Sequence, residues 1–227
     1  MARGILGSIL FLALLQSSGC ASYPRAYSAE SIEAWVVDAD TGEALPGVVV
    51  VADWVLEAGS SLRRVGSLMT LETLTDENGR FAFPAWGPER VPYERRGVPP
   101  TARLTVADPR LIFFKSGYRA GGRENWLSMD ALKGKGGSLR HSDWNGQKIT
   151  LKRFEGDLTE YREHLESFGR ITVESMFMDT IEACVENAIP RLIAALKREE
   201  TQFGSAPTGR FRWSFETFME PENCAGK

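Results

Sequence analysis

The chain has 227 residues, with 27 basic and 30 acidic side chains and a formal net charge of −3. That balance excludes the broad positive field nucleic-acid binding depends on, because neutralising phosphates takes clustered Lys and Arg. The most apolar late stretch, Met176–Leu196, carries Asp179, Glu182, Glu186 and Arg191, so no membrane-crossing helix is predicted there.

The N-terminus sets the compartment. Arg3 precedes the apolar run Ile5–Leu15, broken only by Gly7 and Ser8. This is the length and polarity of a signal peptide, well short of the roughly twenty residues a helix needs to cross a bilayer. It ends in Leu15-Gln16-Ser17-Ser18-Gly19-Cys20-Ala21, which resembles the lipobox of bacterial lipoproteins. Ser18, Gly19 and Cys20 match, whereas Ser17 stands where that family prefers leucine. The resemblance implies cleavage after residue 19, lipid attachment at Cys20 and, with Ala21 rather than aspartate following, an outer-membrane lipoprotein facing the periplasm or the cell surface. Its partner would then be the membrane, reached through acyl chains that contribute about 0.8 kcal/mol per buried methylene. An ordinary cut between Ser17 and Ala21 is the other reading.

Loss of residues 1–19 removes Arg3 alone, so the 27 basic residues become 26 against 30 acidic ones, a net charge of −4. With Cys20 lipidated, the two remaining cysteines, Cys184 and Cys224, form a candidate disulfide pair in an oxidising compartment; two buried free thiols is the alternative.

Residues 20–31 read as a polar tether. From Ile32 the pattern changes to strands and turns: Ile32–Val37, the turn Asp38–Glu43, Leu45-Pro46-Gly47, then Val48–Ala52. The run Val48–Val51 is apolar on both pleat faces, as in a strand covered on two sides. Leu71–Thr75, the turn Asp76-Glu77-Asn78-Gly79 and Arg80–Phe83 predict a hairpin, with Asn-Gly supplying positive φ. Further strands are predicted at Ala102–Ala107, Leu111–Lys115 and Gln147–Lys152. Three long loops separate them: Asp53–Thr70, Pro84–Pro100 and Ala120–Asn145.

The motifs Val36-Val37-Asp38, Thr41-Gly42, Leu45-Pro46-Gly47-Val48, Thr75-Asp76, Asn78-Gly79-Arg80-Phe81, Gly117-Tyr118 and Ile149–Leu151 together resemble the carboxypeptidase-regulatory-like domain. The resemblance covers residues 31 to 120 and the strand near 147–153, and implies a transthyretin-like sandwich. Peptidase activity does not come with it, because that domain is not where such enzymes hold their metal, and the zinc motif His-x-x-Glu occurs nowhere in the chain.

Past Arg153 the period turns helical. Leu158, Tyr161, Leu165 and Phe168 share a face, and i, i+4 ridges run from Met176 to Ile189. Pro190 must kink or restart the helix, which continues through Leu196; Phe211–Phe215 alternates like a short strand. The expected fold class is mainly β with α: an immunoglobulin- or transthyretin-like antiparallel β-sandwich over residues 32–153, with a helical segment, 154–227, packed on it.

Catalytic constellations are thin. The two histidines are His141 and His164, and the spacing His164-Leu165-Glu166 has no matching Cys-x-x-Cys, so no zinc site is assigned. Asp38, Asp40 and Glu43 could form a calcium loop, but turn chemistry accounts for them more simply. Lys133–Ser138 lacks the phosphate-loop pattern, and no serine sits in a Gly-x-Ser-x-Gly elbow. No cofactor is assigned.

The least ordinary feature is a set of aromatics in or beside the long loops: Trp54, Trp86, Tyr93, Trp126 and Trp144. They are candidate contacts for a protein or glycan partner, against the plainer reading that they pack loops onto the sandwich. The resulting expectation is a non-enzymatic, lipid-anchored cell-envelope protein that binds or supports a partner, the alternative being a hydrolase-like envelope enzyme of unrecognised type.

Overall fold

The valine run opens the strand that holds the molecule together. In the computed structural model, which describes residues 24–94, 97–107, 109–125, 137–174 and 189–203, that strand is β3, Val49–Ala58. Before it come β1, Ala26–Ala29, and β2, Ile32–Asp38. After it come β4, Arg63–Leu74; β5, Arg80–Phe83; β6, Trp86–Arg90; β7, Arg103–Leu104; β8, Arg110–Phe114; β9, Gly121–Arg123; β10, Leu139–Arg140; and β11, Lys148–Leu151. Among the described residues two α-helices follow, α1 at Leu158–Phe168 and α2 at Pro190–Gln202.

The molecule is mainly β, with helices late in the chain. One sheet has the order β11-β2-β5; a second runs β4-β3-β8-β9, with β7 also on β3; and a third, small sheet runs β10-β1-β6. Most pairs are antiparallel, but β11 lies parallel to β2 and β10 parallel to β1.

β3 is apolar on both faces because both are covered. Val50, Ala52, Trp54 and Leu56 face a core shared with Val36, Phe81, Phe113 and Ile149. Val49 and Val51 face the other way, with Ile112 and Phe114, onto Leu165, Phe168, Leu192, Ile193 and Leu196 of the helices. The structure therefore has three layers, sheet on sheet on helix, and β3 lies in the middle one.

α1 begins with a capping box: the Asp157 carboxylate accepts from the Thr159 and Glu160 N–H groups at 2.8 and 2.9 Å, while Glu160 accepts from the Asp157 N–H at 2.9 Å. α2 opens on Pro190, whose missing N–H is harmless in the first turn, and has no cap from its own Ile189. Glu72 of β4 supplies one instead. Its two carboxylate oxygens accept from the Arg191 and Leu192 N–H groups at 2.6 and 3.1 Å, tying the helix to the sheet. Glu72→Ala is expected to cost about 1 kcal/mol, the usual loss of an N-terminal cap, and to raise hydrogen exchange in the first turn of α2 before that of β3.

Several sequence-based boundaries move. The segment read as a tether contains β1, where Tyr27 and Ala29 alternate inward and are 1% and 4% exposed. The loop expected at Asp53–Thr70 is instead the continuation of β3 into β4, a long hairpin whose register shifts at Trp54/Val55 and Leu56/Glu57. β6 lies inside the second expected loop, and β9 and β10 inside the third. The strand expected at Ala102–Ala107 shrinks to Arg103–Leu104. Gly79 closes the β4–β5 turn at φ +70°, and a Cβ there would collide with the Val36 carbonyl oxygen, so the Asn-Gly signal marks a position that only glycine fits. Cys20, Cys184, Cys224 and Phe211–Phe215 lie outside the described residues.

Candidate functional site

The two main sheets close against each other at one end and part at the other. At the closed end the Arg119 N–H donates to the Lys152 carbonyl at 2.9 Å, and Tyr118 bridges to Arg153. One step along, a side chain spans the gap: Arg123 Nη2 donates to the Thr150 carbonyl at 2.6 Å. Beyond it β9 and β11 diverge, leaving a wedge of about 270 Å³ lined by Arg123, Glu124, Asp143, Trp144, Lys148 and Thr150.

Trp144 is fixed at the mouth of this wedge. Its indole Nε1 donates to the Pro109 carbonyl at 2.9 Å, its own N–H is held by Ser142 Oγ at 3.2 Å, and the half-buried ring packs on the sandwich core. The turn carrying it is pinned to β2: the Asn145 side chain accepts from the Glu33 N–H at 2.9 Å, and the Gly146 N–H donates to the Glu33 carbonyl at 2.7 Å. A rigid aromatic flanked by charges of both signs is a recognition surface in chemical terms.

The other aromatics fare differently. Trp54 is 1% exposed in the middle of β3, with its ring edge-on to Trp86 at 5.3 Å, so it is a core residue and no partner contact. The alternation of β3 turns it inward, which a loop assignment could not anticipate. Trp86 is half-buried and its Nε1 has no partner among the described residues. Tyr93 is half-buried and donates to the Ala102 carbonyl at 3.4 Å, packing its loop onto the core. Trp126 lies outside the described residues.

The Asp38 turn is explained by its hydrogen bonds. Oδ1 accepts from the Asp40 and Thr41 N–H groups at 2.9 and 3.1 Å, while Oδ2 accepts from Tyr118 Oη at 2.8 Å and Arg153 Nε at 3.1 Å. The Tyr118 hydroxyl, then the two backbone N–H groups and, after the opposing effect of burial, Arg153, hold the Asp38 pKa down at about 2. A carboxylate with a lowered folded-state pKa stabilises the fold above its unfolded pKa and loses that contribution as pH falls through the folded one. The Asp38 contribution should therefore disappear between about pH 4 and about pH 2. Tyr118→Phe is expected to lower stability at neutral pH, where the hydroxyl's hold on the ionised carboxylate is fully present, and the deficit should shrink as pH falls toward about 2, as read by chemical denaturation at a series of pH values.

Sequence reasoning missed a second buried carboxylate. Asp53, fully buried on the helix-side face of β3, accepts from Arg64 Nη1 at 3.0 Å, Arg110 Nη2 at 3.2 Å and Ser67 Oγ at 2.7 Å. The available signal was an acid on the alternating face of an apolar strand, which demands cationic partners. Burial pushes the Arg110 pKa down, against the pull of Asp53.

The histidines are also assigned. His141 Nδ1 lies 2.9 Å from Glu30 at the surface. His164, on α1, is half-buried against the Phe154 ring at 5.3 Å, and burial followed by Arg119 lowers its pKa. No cluster of three metal-ligating side chains occurs among the described residues.

No family model and no curated protein matches the chain. Among solved structures it is similar to a 3-chlorocatechol 1,2-dioxygenase from Rhodococcus opacus 1CP, at 18% identity and TM-score 0.30 over 56% of this chain and 61% of that one. The C-terminal domain of the shaft pilin SpaA from Lactobacillus rhamnosus GG is similar at 11% identity and TM-score 0.24, over 57% of this chain and 98% of that one. A 9R-lipoxygenase from Cyanothece PCC8801 is similar at 14% identity and TM-score 0.25, over 75% of this chain and 25% of that one. The chain thus spans less than two thirds of the dioxygenase it resembles.

Proposed function

We propose that this chain is a lipid-anchored cell-envelope protein that recognises a partner without catalysis, through a carboxypeptidase-regulatory-like sandwich, and that the wedge between β9 and β11 is its recognition site. The observation that carries the reading is the wedge itself, a rigid opening of about 270 Å³ with Trp144 fixed at its mouth and charges of both signs around it. The lipobox-like leader ending at Cys20 supports the anchor. The buried carboxylates Asp38 and Asp53 support a structural use of acids, since each is occupied by two or more donors.

A photocrosslinking residue placed at Lys148, on the wedge, and at Leu158, exposed on α1, tests the reading in intact envelopes. The expected result is one discrete adduct from Lys148, none from Leu158, and a weaker Lys148 adduct in the Cys20→Ala form that cannot carry lipid. Adducts only from Leu158, or turnover of an envelope substrate by the purified chain, would overturn it.

A further inference from the structure

We propose that the wedge receives an extended polypeptide segment of a partner, which adds itself as a further strand along the free edge of β11. This rests on the wedge being the recognition site and names what is recognised.

In a parallel ladder, alternate residues turn both N–H and C=O toward one neighbour while the residues between them turn away. The β11–β2 ladder fixes which residues do which. The Trp35 N–H donates to the Gln147 carbonyl at 2.9 Å and the Ala39 N–H to the Leu151 carbonyl at 2.8 Å, so residues 147, 149 and 151 face β2. Lys148 and Thr150 therefore turn their main-chain groups outward, into the wedge.

Along that outward edge the protein satisfies its own backbone only part of the way. The Lys152 carbonyl is bonded to the Arg119 N–H, and the Thr150 carbonyl to the Arg123 side chain. Beyond that point no described residue bonds the Lys148 N–H, the Lys148 carbonyl or the Thr150 N–H. Both residues are exposed, so an incoming strand can reach these groups.

An open strand edge is a template for another strand, with main-chain hydrogen bonds supplying affinity and side-chain pockets supplying selectivity. Here the edge is four residues long, and the opposite wall, β9, keeps the site from accepting a whole sheet. Trp144 offers one apolar surface for an alternate side chain of the incoming segment. Arg123 and Lys148 on one hand, and Glu124 and Asp143 on the other, favour a segment of mixed charge over a polyanion.

The test uses the whole chain, isotope-labelled, with peptides selected on it from a displayed library of short random sequences. The expected result is that selected peptides slow amide exchange at Lys148 and Thr150 by about tenfold or more, because an added strand bonds those two N–H groups. Lys148→Pro removes one outward N–H at the first residue of a strand, where proline is tolerated and the β2 ladder keeps its bonds. It should weaken peptide binding about tenfold. The exchange measurement stands without any variant should Lys148→Pro fail to fold. Selected peptides that leave both amides fast, or a library that yields no binder, overturn the proposal. An envelope glycan that shifts the Trp144 indole without slowing those amides also overturns it, yet leaves the wedge as the recognition site. Loss of the Lys148 crosslink in envelopes would remove both readings together.

Discussion

Replacing Asp53 by alanine is expected to destabilise the chain by about 3–5 kcal/mol, because it leaves two guanidinium groups without the carboxylate they were desolvated against. Asp53 is wholly buried, while Arg64 and Arg110 keep only 19% and 15% of their side chains exposed. Arg110 already leaves its Nε without a partner among the described residues, so it has little reserve. Chemical denaturation of the single variant measures the loss. Removing the carboxylate with its more buried partner, as Asp53→Leu with Arg110→Met, should recover part of it, since a buried ion pair replaced by apolar side chains of similar volume is often neutral and Arg64 alone then stays without its carboxylate. If the double variant were as unstable as the single one, the cluster would be contributing net stability, and its role would be more than compensating a charge.

Trp54→Ala should cost about 3–5 kcal/mol, the range for deleting a large buried aromatic. The ring is in the inter-sheet core, edge-on to Trp86 at 5.3 Å. Its removal opens a cavity that β3 cannot collapse, because the strand is bonded to β4 on one side and to β7 and β8 on the other. Trp86→Ala, on a half-buried ring, should cost distinctly less. The comparison of the two by thermal unfolding separates a core tryptophan from one that packs a loop.

The strands visible in the sequence are those whose own residues carry the signal. β2, the start of β3, β5, β8 and β11 are β-branched or aromatic runs bounded by Gly, Pro or Asp turns, and their placement follows from local chemistry. β1, β6, β9 and β10 are short and rich in Gly, Ser, Arg or Glu, and they are strands only because distant segments offer them a ladder. The second half of the β3–β4 hairpin was hidden for a related reason: β4 carries Arg64, Ser67 and Glu72 on its helix side, where one holds Asp53, one bridges to it and one caps α2. Of the site, only Trp144 stood out. Arg123 and Lys148 meet it through two sheet edges whose separation depends on how the sandwich closes, and no periodicity within either strand records that.

The two-sided burial of β3 also bears on how the chain could be divided or inherited. A fragment ending at Arg153 would bare Val49, Val51, Ile112 and Phe114, which together with the helices form the second core. It is expected to aggregate rather than fold, and the intact chain to unfold in one transition by every spectroscopic probe. Any relative that keeps the sandwich but has shed the helices must carry polar residues at those four positions. Those positions are therefore a sequence-level mark of whether the module can travel between proteins alone or only together with its helical cover.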